Sequence, residues 1–85
     1  LKKSTYPSVD RYYEMPQSES VSDLLNRLQR YAEDSGWKLD KERSGEEYFV
    51  GYKDIEGREY SLWVSIILND KYNNGVHISV EGLGD

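Results

Sequence analysis

With 85 residues, no cysteine and a formal charge of -5, the chain has room for one domain and neither a disulfide nor a thiolate metal site to brace it. The negative charge disfavours nucleic acid and anionic membrane surfaces, which reward positive patches, and no stretch approaches the ~20 apolar residues of a spanning helix. Hydrophobic residues make up only 36%, so the eight Tyr and two Trp must supply much of the apolar area.

Leu1 to Asp10 (L-K-K-S-T-Y-P-S-V-D) is polar, with Pro7 holding Tyr6 extended. It reads as a flexible N-terminal arm ahead of one domain over residues 11–85. The chain starts at Leu1 without Met, so upstream residues, a signal peptide among them, are expected to have been removed. Arg11 to Met15 forms a short candidate strand, stopped by Pro16 and suited to a sheet edge.

Ser20 to Trp37 (S-V-S-D-L-L-N-R-L-Q-R-Y-A-E-D-S-G-W) predicts an amphipathic helix over about residues 20–35. Val21, Leu24, Leu25, Leu28, Tyr31 and Ala32 fall on one side of it, and Asp23, Asn26, Arg27, Gln29, Arg30, Glu33 and Asp34 on the other. Ser20 can cap the first turn, and Asp23 three residues on favours the positive helix end. Gly36 suits a left-handed stop, with Trp37 folding back onto Ala32 or Tyr31. About four turns of helix are marginal in water, so the stripe must pack on something. No second segment of helical period exists, so that surface is a sheet.

W-K-L-D-K after Gly36 alternates as a half-buried strand, and Glu42 to Glu46, with Gly45, fits a hairpin turn. Glu47 to Lys53 is the next strand, Asp54 to Gly57 a short hairpin loop with positive φ expected at Gly57, and Arg58 to Asn69 the longest strand. Asp70 to Gly75 ends in the turn dipeptide Asn74-Gly75, and Val76 to Glu81 is the last strand. Short loops force antiparallel neighbours. The expected fold is a two-layer α+β domain, the helix lying across an antiparallel meander sheet of four to five strands.

Alternation then assigns the faces. Tyr60, Leu62, Val64, Ile66 and Leu68, with Val76, Ile78 and Val80, and with Tyr48, Val50 and Tyr52, form the helix-covered side. Phe49, Gly51, Ser61, Trp63, Ser65, Ile67, His77, Ser79 and Glu81 form the outer side. Nothing in the chain except the N-terminal arm is expected to cover that outer side. Shielding by the arm or by neighbouring long side chains would explain its three apolar residues; a binding or dimer surface centred on Trp63 is the sharper explanation, because aromatic anchors concentrate at interfaces.

Chemistry finds little footing. His77, the one histidine, sits beside Ser65 and Ser79 without a Gly-x-Ser-x-Gly elbow and reads as a solvated strand histidine. Glu46 with Glu47, and Asp54 with Glu56, lack the cleft a glycosidase needs between two carboxylates. Asp70, Asn73 and Asn74 lack the spacing of a calcium loop. Gly45, Gly51 and Gly57 match turns and a strand position rather than a phosphate loop. No catalytic residue, cofactor or metal is expected.

Tyr6-Pro7-Ser8, a short strand, a helix behind a Ser-rich cap and Gly36-Trp37 opening a strand series resemble small domains of bacterial secreted lipoproteins. Such domains carry a Tyr-Pro-small segment and a helix ending in Gly-Trp before an antiparallel sheet. Ser8-Val9 stands here where Gly-Ala is usual. The resemblance implies an extracytoplasmic setting and a two-layer fold, and nothing catalytic. The expected role is a non-catalytic interaction module, with protein as partner and a homo-oligomer within its reach. It would use the outer face around Phe49, Trp63, Ile67 and His77, or a sheet edge. The alternatives are an acidic inhibitor or immunity-type protein that blocks a basic site, and a small glycan-binding module.

Overall fold

The computed structural model describes residues 8–16, 18–68 and 74–82. They form β1 (Ser8–Glu14), α1 (Val21–Asp34), β2 (Lys38–Leu39), β3 (Tyr48–Ile55), β4 (Arg58–Ile67) and β5 (Gly75–Gly82). The strands make one antiparallel sheet in the order β1-β5-β4-β3-β2. The expected fold, one helix on an antiparallel meander, is therefore the one observed. β2 to β5 are the meander, and β1 completes the sheet beside the last strand. β1 begins at Ser8, within the stretch read as an arm; Leu1 to Pro7, with the Tyr6-Pro7 pair, lie outside the described residues, as do positions 69–73 of the loop before β5.

Local chemistry sets both helix ends. The Ser20 hydroxyl accepts the Asp23 N–H at 3.1 Å, satisfying one orphan donor of the first turn. At the other end Gly36 takes φ +98°, its N–H donates to the Glu33 carbonyl, and the Trp37 N–H reaches back to Ala32 O at 3.0 Å. These two bonds and the left-handed glycine make a Schellman stop. The last turn has no basic residue of its own. Lys53 of β3 supplies the charge instead, donating to the Ser35 carbonyl, where a cation complements the helix dipole.

Between β3 and β4 the strands run without a break to Ile55 opposite Arg58, leaving a two-residue turn. Glu56 (φ 52°) and Gly57 (φ 84°) are both left-handed, as a primed hairpin turn requires. That turn fixes the register of the two longest strands.

α1 crosses the sheet from the β1 edge to the β2 edge and has its nearest backbone neighbours in β2 and β3. Leu24, Leu25 and Ala32 pack there with Phe49, Leu62, Val64, Ile66, Val76 and Met15, while Val21, Leu28, Trp37, Leu39, Ile78 and Val80 close the margin. Burial at ~25 cal/mol per Å2 of apolar surface makes this layer the main source of stability. Gly51 opens room for it: a Cβ there would lie 3.2 Å from Lys38 O and 3.3 Å from a Leu39 methyl.

The face assignment holds for β4 and β5 and fails for β3. Phe49 lies opposite Val64, and Gly51 opposite Leu62, so Phe49 faces α1 and is fully buried; Tyr48, Val50 and Tyr52 share the outer face with Trp63. The cause is physical. Phe49 and Val50 are both completely buried, one under the helix and one under a loop, so apolar residues occupy both parities and alternation cannot choose between them. Leu68, expected on the covered side, falls just past the end of β4 and is exposed.

Candidate binding face

Across the outer face the register brings residues into rows. Tyr12, His77, Ser65 and Tyr48 make one row, and Asp10, Ser79, Trp63 and Val50 the next. Residues directly opposite on adjacent antiparallel strands share a face and lie ~5 Å apart. The half-buried Ser65 and Ser79 therefore floor a strip with aromatic groups on either side.

On the β3 side Tyr48 stacks on Trp63, ring centroids 6.1 Å apart and planes 17° apart. The Arg43 guanidinium lies 5.5 Å from the Trp63 ring centroid and bonds the Tyr52 hydroxyl. The loop between β2 and β3 delivers Arg43. Asp40 starts that loop by accepting the N–H groups of Glu42 and Arg43 on its carboxylate, at 3.2 and 3.3 Å, a local bond that Asp favours in turns. Ser44 then donates to Asp40 O and accepts the Val50 N–H, pinning the loop over Val50. Gly45 follows because a Cβ there would sit 2.6 Å from the Tyr48 ring. Part of the outer face is thus covered by this loop, which the sequence reading did not place there.

On the β1 side Tyr12 stacks on His77, centroids 4.4 Å apart and planes 8° apart. His77 Nε2 lies 2.9 Å from Asp10 Oδ1, which orients the imidazole and ties β1 to β5 through side chains as well as backbone.

Of the four residues singled out by sequence, three meet on this face. Trp63 is 38% exposed and Ile67 41%; His77 is half-buried between strands. Phe49 belongs to the core instead. Arg43, Tyr48, Tyr12 and Asp10 complete the face and were not anticipated on it. Tyr48 was missed through the β3 parity, Asp10 through its assignment to the arm. The pattern Asp40-x-x-x-Ser44-Gly45 was the available signal for a loop folding over the sheet.

Among the described residues no three His, Asp or Glu side chains gather where they could hold a metal ion, and no helix is long and apolar enough to cross a membrane. Asp70 and Asn73 lie outside those residues. Compared with protein-family models, curated proteins and solved structures, the chain matches none of them.

Proposed function

We propose that this chain is a non-catalytic binding module that engages a protein partner through its outer sheet face. The observation that carries the proposal is the Trp63 platform. A large aromatic ring on the longest strand remains more than one-third exposed while Tyr48 stacks on it and Arg43 lies against it. Fixed aromatic groups with Arg at their side are the composition of interface hot spots, since little side-chain freedom is left to lose on binding. Ile67 and the Tyr12–His77 stack extend the surface. The secreted-lipoprotein resemblance supports an extracytoplasmic setting, secreted or lipid-anchored, which fractionation of source cells with an antibody to the chain tests directly.

The partner is identified by affinity capture on wild-type protein, with a Trp63→Ala column run in parallel, and the interaction is then measured with purified components. Trp63→Ala is expected to weaken binding by at least tenfold, about 1.4 kcal/mol, with little dependence on salt. Equal binding by Trp63→Ala and wild type overturns the proposal. A steep fall of on-rate with ionic strength points instead to an acidic inhibitor. A saturable Trp63 fluorescence change with neutral oligosaccharides, in a Trp37→Phe background, points to a glycan module.

A further inference from the structure

We infer that β1 is a self-pairing edge, through which two copies of the chain join antiparallel into one continuous ten-stranded sheet. β1 exposes large apolar side chains along its length. Val9, Tyr12 and Tyr13 are 48%, 69% and 55% exposed, so both faces of β1 present large side chains to solvent. Among the described residues β1 pairs with β5 on one side and with no strand on the other. Exposed edges are usually blunted by shortness, a bulge, a proline or charged side chains. The opposite edge follows that rule, β2 being only two residues long. β1 lacks the first three devices, since its seven residues pair with β5 without a bulge or an interrupting proline, and its charges are the mixed set Asp10, Arg11 and Glu14.

The backbone is set for the second pairing. The Met15 N–H donates to Asn74 O at 2.8 Å, in register with Glu14 opposite Gly75. In an antiparallel ladder hydrogen-bonded pairs alternate, so Tyr13, Arg11 and Val9 bond to β5, and the Tyr12 N–H points away from the sheet.

The sequence selects the register. With a two-fold axis through Arg11, all seven residues overlap. Val9 then faces Tyr13 of the partner subunit, Asp10 faces Tyr12 of the partner subunit, and Ser8 faces Glu14 of the partner subunit. The first is the aromatic–β-branched pairing that sheets favour. An axis through Tyr12 would set Asp10 against Glu14 of the partner subunit twice, and an axis through Asp10 would oppose two carboxylates at the centre. Only the Arg11 pair is like-charged in the favoured register. Salt, by screening it and the net charge of -5 on each copy, is expected to strengthen the dimer.

The chain has no cysteine, so single-cysteine variants test the arrangement. Residues facing each other across the axis in a non-hydrogen-bonded pair have Cα atoms about 4.5 Å apart, within the ~4.4–6.8 Å that a disulfide spans. Arg11→Cys is expected to give a disulfide-linked dimer on mild oxidation, at least tenfold faster than the control Glu33→Cys on the helix surface. By sedimentation equilibrium the wild type is expected to show a reversible dimer, and Tyr12→Pro, which removes an outward N–H together with the ring stacked on His77, to weaken it at least tenfold relative to the ring-only control Tyr12→Ala. A wild type that stays monomeric at all concentrations overturns the inference. So does an Arg11→Cys variant that cross-links no faster than the control, or preferential cross-linking through Tyr12→Cys.

Discussion

Glu19, one residue ahead of the helix cap, grips Arg27 through two hydrogen bonds of 2.8 and 3.1 Å. The hydrogen bond to the guanidinium holds the Glu19 carboxyl below its ordinary value, partial desolvation opposes it, and the Coulombic attraction adds to the lowering. The same contact raises Arg27. For a carboxylate lowered in the folded state, the stabilisation is present above the unfolded pKa and is lost as pH falls through the folded one. A Glu19→Gln variant should therefore differ from wild type in stability at neutral pH and converge with it in acid. Urea unfolding at a series of pH values, with a carboxyl NMR titration of Glu19, checks both statements. Nothing in the spacing of residues 19 and 27 announced this pair, because Glu19 precedes the helix and reaches its partner only once the chain has turned into α1.

At the level of the element, α1 was the most legible part of the chain. Its stripe, its Ser20 cap and its Gly36 stop each follow from one local rule, and the three agree. Gly36→Ala forces a side chain into φ +98° and sets its Cβ 3.3 Å from Lys53 Cε. The expected cost is about 1–2 kcal/mol, read as a shift of the urea midpoint at unchanged m-value. β4 and β5 were legible because each is covered on one face and open on the other. β3 was not, since the loop over Val50 is a tertiary event that the strand's own residues do not encode. Phe49→Ala tests the corrected face. It should cost about 3–5 kcal/mol, as loss of a buried aromatic does, whereas Trp63→Ala on the open face should cost far less in denaturant titrations.

For the molecule as a whole, the two layers and the meander order of β2 to β5 were legible, and the place of β1 was not. Periodicity reports which residues want cover; it does not say which edge the opening strand will join. The helix also leaves the sheet unevenly covered. At ~4.8 Å per strand the sheet is about 19 Å wide between its edge strands, and a helix is about 10 Å across. α1 comes closest to β2 and β3, and Val9 and Tyr13 on the far edge strand stay exposed.

Because β1 docks beside β5, the Asp10–His77 contact joins residues 67 apart in sequence. During synthesis β1 must wait for the helix and three further strands before its neighbour exists. The meander and helix, whose contacts are local, are free to assemble first. β1 is then the last strand to be laid down, and until it docks the β5 edge is open to the same strand of another copy.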